Sequence, residues 1–258
     1  MTDYKEAYSG QSVLVTGGAG AIGSNLTRAL AQAGARVIVL DDLSSAERWN
    51  VPSLPGVLFV EGDVTDEVRL KRVFFERPRI VFHLAAFFAN QNSVDFPERD
   101  LAVNGMGTLR LLEYAVFTGA DRFVYASSGC SIYGSQAPLP LREEFMSMHL
   151  STPYQITKML GELYCNFFCH HYGLKVVKPR FFNSYGPGEV PGQYRNVIPN
   201  FIYWAMKGLP LIGYCPGTPF EVGLQRTVHW FRDNWDRIEA SARFGPGVSS
   251  AVREMMAV

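Results

Sequence analysis

Residues 13–23 read Val-Leu-Val-Thr-Gly-Gly-Ala-Gly-Ala-Ile-Gly, a buried-strand pattern that breaks into glycines spaced by three and runs on into a helical pattern. Few folds accept that order. The apolar run suits a strand covered on both faces, and the glycines permit positive φ and a close approach of backbone to a ligand. The helix that follows offers free N–H groups and a partial positive charge, the natural cradle for a pyrophosphate. Glycine runs are common in flexible turns. Between a strand and a helix, this one marks a nucleotide-binding turn built from Gly17, Gly20, Ala21, Ile22 and Gly23.

The rest of the chain agrees with that start. Mostly continuous apolar, β-branched runs at 12–16, 36–40, 57–60, 79–84, 122–126 and 175–179 predict strands, and helical patterns fall between them at 22–33, 66–75, 98–118 and 152–172. Continuous rather than alternating apolarity means burial on both faces, so the expected fold class is α/β: a Rossmann-type doubly wound parallel sheet. After Arg180 the texture changes to a Gly- and Pro-rich loop, then helix patterns at 197–207 and 221–238. The expected organisation is a nucleotide-binding domain over 1–180 and a reduced substrate lobe with a C-terminal helix over 181–258.

With 24 Lys and Arg against 24 Asp and Glu, bulk charge gives no case for a nucleic-acid or anionic-membrane partner. Residues 1–10 are polar and no run of eighteen apolar residues occurs, so the expected location is the cytoplasm, with no membrane span and reduced thiols. Cys165, Cys169, His170 and His171 cluster on one predicted helix, but their spacing favours packing over a metal site, and no metal is expected.

Further candidates follow the strand ends. Asp41 and Asp42 close the second strand about twenty residues past the turn, where a carboxylate accepts from the adenosine ribose hydroxyls and repels a 2′-phosphate. NAD is therefore expected over NADP, although Arg48 keeps NADP open, and either carboxylate can instead cap the turn. Asp63-Val64 lies where an acid would meet the adenine amino group, and His83-Leu84-Ala85-Ala86 ends the fourth strand with small residues that let a cofactor lie close. Tyr154 and Lys158, at i and i+4 on a helix, share a face. An ammonium beside a phenol is expected to favour the phenolate and so make Tyr154 a general base. Ser127 and Ser128, at the carboxyl end of the fifth strand, offer a hydroxyl to orient a substrate; a capped turn is the alternative.

Together Gly17-x-x-Gly20-x-x-Gly23, Asp41, Asp63-Val64, His83-Leu84-Ala85-Ala86, Asn104, Ser127-Ser128, Tyr154-x-x-x-Lys158 and the run Arg180-Phe181-Phe182-Asn183-Ser184-Tyr185-Gly186-Pro187 resemble the extended short-chain dehydrogenase/reductases. Within them the chain is similar to the NAD-dependent nucleotide-sugar epimerase/dehydratase branch, the UDP-glucose 4-epimerases in particular. The resemblance implies Tyr154 as base, Lys158 on the nicotinamide ribose and Ser128 on the sugar hydroxyl. It adds Leu43, Ser44, Leu84 and Phe181 to the cofactor site, and it places Asn183, Asn196 and Val197 on the nucleotide sugar, a UDP-sugar by preference. The implied reaction is epimerisation at C4 through a transient keto sugar. Dehydratases and decarboxylases carry an acid after the catalytic Ser/Thr, where this chain has Gly129-Cys130-Ser131. A nucleotide-sugar reductase or dehydratase stays a further alternative, since Cys130 beside the serine resembles the GDP-fucose synthases with the register broken by one inserted residue.

The family also implies a homodimer through the helices at 98–118 and 152–172, with Leu160, Leu163, Phe167 and Phe168 as apolar groups. Its C-terminal pattern arrives early, implying an internal deletion close to the junction of Leu211 and Ile212. A shortened, catalytically impaired NAD-binding homologue with a binding or regulatory role is therefore the alternative to an active epimerase.

Overall fold

The computed structural model describes residues 4–207 and 221–241. The Leu211 and Ile212 junction and the tail from 242 lie outside them. Six strands form one parallel sheet: β1 (Ser12–Thr16), β2 (Arg36–Asp41), β3 (Val57–Glu61), β4 (Ile80–His83), β5 (Arg122–Tyr125) and β7 (Lys175–Val177), in the order β3-β2-β1-β4-β5-β7. The short β6 (Ser127–Ser128) and β8 (Arg180–Phe181) pair separately, in parallel. This is the doubly wound, Rossmann-type α/β fold expected from the strand pattern. The chain winds outward from β1 through β2 to β3 and then in the other direction from β4, so a crevice opens between the carboxyl ends of β1 and β4.

Burial explains why these runs become strands. Leu14 of β1 packs on one face with Ile38, Leu40, Val81 and Phe123, against Leu70, Leu111, Leu112 and Phe168 from covering helices. Val13 and Val15 point the other way and join Val37, Val39 and Leu30. Each central strand therefore alternates between two apolar layers. Both edge strands, β3 and β7, are more exposed. The chain divides into two compact units, Met1–Asn183 and Ser184–Val258.

The helices start where capping chemistry permits. Asp66 accepts from the Val68 and Arg69 amides (2.8 and 3.3 Å) ahead of Glu67–Phe75. Thr152 accepts from Gln155 N (3.3 Å) ahead of Pro153–Tyr172, with Pro153 in the first turn where no N–H is needed. Two helices depart from the sequence expectation. The 98–118 pattern is helical throughout, but a π-helical stretch, Leu101–Gly107, joins Pro97–Asp100 to Thr108–Thr118. The 221–238 pattern is two helices, Glu221–Asp233 and Trp235–Ser241, separated at Asn234, whose side chain bonds back to Trp230 O (2.8 Å). Asparagine bonds readily to nearby backbone and so competes with helix continuation.

One buried polar chain ties the ends of β1 and β4 together. Ala85 N donates to Thr16 Oγ1 (3.2 Å), which pairs with His83 Nδ1 (2.8 Å). His83 Nε2 pairs with Thr108 Oγ1 (2.9 Å), which donates to Asn104 O (2.6 Å). Those directions need a neutral imidazole protonated on Nε2. Burial pushes His83 down to about 3 from its ordinary 6.5. Between those values the unfolded chain holds a proton that the folded one refuses, so this stability is complete above pH 6.5 and is lost as pH falls through the window. His83→Gln is expected to shallow the acid slope of unfolding free energy by up to about 1.4 kcal/mol per pH unit just below 6.5. Thermal unfolding of both proteins against pH checks this, and parallel slopes would refute it.

Candidate functional site

Register brings the site together. Thr16 pairs with Leu40 on β2 and with His83 on β4, which pairs with Tyr125 on β5. The glycine turn, Asp41, Ala85 and the Ala126 to Ser128 segment therefore all emerge at one edge of the sheet. The turn fits tightly against that edge. Gly17 has φ +69°, and a Cβ there would lie 2.6 Å from Ala85 N; a Cβ on Gly23 would lie 2.1 Å from Gly17 O. Gly20 caps the helix Ala21–Gln32 and is roomier, its nearest neighbour being Gly17 O at 3.3 Å. Ala21 and Ile22 open the helix Ala21–Gln32.

Asp41 both braces the turn and caps its own loop: Oδ2 accepts from Ala19 N (2.9 Å) and Oδ1 from Leu43 N (2.9 Å). Asp42 Oδ1 accepts from Ser44 N and Oγ (3.0 and 2.7 Å). These two carboxylates hold Leu43 at φ +58°, a left-handed conformation that is uncommon for a residue of this type. Asp63 accepts from Thr65 N (2.7 Å), with Val64 buried beside it. Burial raises Asp63, but its hydrogen bonds to Thr65 and Arg99 outweigh this and keep the carboxyl below its ordinary value. Two residues here escaped sequence reasoning. Asn50 donates to Ala19 O (2.6 Å) and locks the turn from below. Arg99 pairs with Asp63 and lies 3.6 Å from Asp42, joining the two acids. Neither belongs to a local motif, and only the packing of segments distant in sequence reveals them.

Tyr154 and Lys158 stand on one face of Pro153–Tyr172, with the Lys158 Nζ 5.7 Å from the Tyr154 ring centre. Both are buried. Lys158 donates to Ala126 O (2.9 Å) and has further N–H donors for a ligand. Burial lowers its ammonium to about 8, opposed by the Asp100 carboxylate, which favours the charged form. Burial raises the Tyr154 phenol above its ordinary value, and Cys130 and Asp100 add to the rise. Desolvation of the phenolate outweighs an ammonium that is turned toward Ala126.

The two serines separate cleanly. Ser127 Oγ donates to Glu162 Oε1 (2.5 Å) and is committed to the protein interior. Ser128 Oγ shares a hydrogen bond with Cys130 Sγ (3.1 Å). Asn104 clamps the segment after β4: Phe87 N donates to its Oδ1 (2.8 Å) while its Nδ2 donates to Phe87 O and Asp100 Oδ1 (3.1 and 2.7 Å).

Leu84, Ala85 and Ala86 follow β4, and Phe181 ends β8. Asn183 is exposed at the end of the first unit. Asn196 and Val197 belong to the second, where Asn196 precedes the helix Val197–Met206 and donates to Glu189. Cys165 is buried, Cys169 is exposed, and His171 stacks on Phe167 (5.2 Å). Among the described residues no group of three or more His, Cys, Asp or Glu could hold a metal, and no helix is long and apolar enough to cross a membrane. Phe168 belongs to the core rather than to an outward face, because it packs beneath β5 and β7, whereas Leu163 and Phe167 are exposed.

Known proteins resemble this chain in sequence and fold. The chain is 37% identical over 249 residues to the UDP-glucose 4-epimerase of Mycolicibacterium smegmatis, covering 94% of this chain and 79% of that one. It spans less than two thirds of other curated UDP-glucose 4-epimerases that it matches. An epimerase of the methanogen Methanothermobacter thermautotrophicus superposes with a TM-score of 0.88 at 43% identity, over 93% of this chain and 97% of that one. The Thermus thermophilus UDP-glucose 4-epimerase in complex with NAD superposes with a TM-score of 0.72 at 40% identity, over 78% of this chain and 64% of that one. The family described as NAD dependent epimerase/dehydratase matches residues 13–222. A match of that extent, together with relatives at this identity, makes the assignment plain: the chain belongs to the NAD dependent epimerase/dehydratase family.

Proposed function

We propose that this enzyme is a nucleotide-sugar 4-epimerase acting on a UDP-sugar, with NAD as a cofactor that is regenerated in each turnover. The observation that supports the reading is Lys158, which shares a helix face with Tyr154 and donates to Ala126 O, two residues before Ser128, at the sheet edge where the glycine turn and Asp41 also emerge. The residues fit NAD. The first turn of Ala21–Gln32 would face the pyrophosphate with backbone amides, Asp41 beside the turn would take the adenosine ribose, and the buried Lys158, which donates to Ala126 O, would hold the nicotinamide ribose. When bound, NAD+ supplies the hydride acceptor and a cationic ring whose field favours the phenolate.

Ser128 holds the C4 hydroxyl of the sugar against Tyr154, and Tyr154 takes its proton as the carbinol is oxidised. The resulting keto sugar turns over, receives the hydride on its other face and recovers the proton from Tyr154. Lys158 keeps positive charge beside the phenol throughout. The chemistry needs no further acid, in keeping with Gly129 after the serine. Asn183, Asn196 and Val197 are proposed to hold the nucleotide sugar. A homodimer through Pro97–Thr118 and Pro153–Tyr172 would cover the exposed Leu101, Phe117, Ile156, Leu163 and Phe167.

Incubation with UDP-glucose and with UDP-N-acetylglucosamine, with NAD present, should yield the corresponding 4-epimers, read by chromatography and proton resonance. NAD binding without any interconversion would favour a non-catalytic binding protein.

A further inference from the structure

One turn beyond Lys158, the same helix buries a carboxylate. Glu162 is completely inaccessible. Its Oε1 accepts from Ser127 Oγ (2.5 Å) and Arg180 Nε (2.9 Å), and its Oε2 accepts from the Arg180 guanidinium (3.0 Å), with Lys178 Nζ 3.8 Å away. Arg180 also donates to Glu143 O (2.8 Å) and Phe145 O (3.4 Å) and lies 5.0 Å from the centre of the Tyr133 ring. One ion pair thus joins the Tyr154 helix, both strands of the β6/β8 pair and the loop at residues 143–145.

Stability is a weak reason for such a pair. Desolvation costs a buried carboxylate several kcal/mol, and apolar residues of similar volume often hold the same elements as well or better. A two-pronged guanidinium adds direction. Burial alone would raise the Glu162 carboxyl, but Arg180 and Ser127 bring it below its ordinary value, so it stays ionised. Ser127 and Ser128 are neighbours on a strand, and their side chains leave it on opposite sides. Fixing Ser127 on Glu162 therefore fixes the direction of Ser128, toward Cys130 and away from the helix interior. The register Ser127↔Arg180 and Ser128↔Phe181 places the guanidinium beside the same strand.

We infer that Glu162 and Arg180 are a positioning pair, which orients Ser128 against Tyr154 through Ser127. This rests on the proposed epimerase reading, in which Ser128 holds the sugar hydroxyl. In this reading the pair acts through Ser127 rather than on cofactor or sugar. Loosening it should misplace the reacting hydroxyl and leave NAD binding alone.

The test uses Glu162→Gln and the milder Ser127→Ala, which removes one leg of the clamp should the first fail to fold. With UDP-glucose, kcat is expected to fall about a hundredfold in Glu162→Gln, the scale of a misplacement near 1 Å, while KM changes little and the Kd for NAD is unchanged. In a Ser128→Ala background the same substitution should have almost no further effect, because both changes remove one function. A second readout needs no turnover: alkylation of Cys130 by iodoacetamide, mapped by mass spectrometry with exposed Cys169 as internal reference. Its rate should shift several-fold in the folded variants while Cys169 stays constant. Losses that multiply fully with Ser128→Ala, or an unchanged Cys130 rate, would overturn the inference. If the unmutated chain turns over no UDP-sugar, the epimerase reading fails, and the Cys130 rates alone decide whether the pair orients Ser128.

Discussion

Replacing Tyr154 with phenylalanine is expected to slow interconversion of a UDP-sugar about a thousandfold, within the range that one positioned acid–base group supplies. The fold should survive. The ring packs edge-on against Phe88 (6.0 Å between centres) and lies beneath the Lys158 ammonium, and phenylalanine keeps both contacts. The helix start is held by backbone, with Tyr154 N donating to Ser93 Oγ (3.0 Å), a bond that the substitution leaves intact. NAD affinity and melting temperature should therefore match the unmutated protein while kcat collapses. Equal loss in affinity and kcat would point to a displaced helix, and unchanged kcat would remove Tyr154 from the chemistry.

The second large effect separates two glycines of one motif. Alanine at Gly23 would set its Cβ 2.1 Å from Gly17 O and 2.7 Å from Gly18 Cα, all backbone with no flexible end to yield. The helix must move off the turn, and a destabilisation of about 3 kcal/mol or more is expected, with NAD binding lost. Alanine at Gly20 would meet only Gly17 O, at 3.3 Å, so folding should be weakened far less than in Gly23→Ala. Backbone at the second glycine of such a turn must approach the pyrophosphate, and NAD affinity is expected to fall even so. Thermal unfolding and NAD titration of both variants check this. Two variants with the same profile would show that the turn does not face the cofactor as argued.

Much of this architecture was readable before any coordinates. Continuous apolar runs specify the central strands because β1 and β2 are buried on both faces, a demand that composition alone can express. The glycine turn was equally plain, since its backbone conformation tolerates few residues. Long-range electrostatics was harder to read. Arg99 reaches Asp42 and Asp63 from a helix that sequence spacing does not connect to them. Glu162 looks like any helical glutamate until Arg180, eighteen residues on, folds back against it. The adjacency of Tyr154 to Lys158 follows from i, i+4 spacing, but the desolvation of both depends on what the rest of the chain packs around them. The helix break at Asn234 and the π-helical stretch Leu101–Gly107 are local departures within correctly placed helices. Gly161 in mid-helix is likewise explained only by β5, because a Cβ there would lie 2.2 Å from the Tyr125 hydroxyl.

The central claim is that a hydride leaves C4 of the sugar and returns to the same carbon within one binding event. UDP-glucose carrying deuterium at C4, incubated with the protein and NAD in ordinary water, tests it directly. The account predicts UDP-galactose that retains the label at C4, with no hydrogen taken from solvent at that position. Product that has exchanged its C4 label for solvent hydrogen, or UDP-glucose recovered without any epimer, would contradict it.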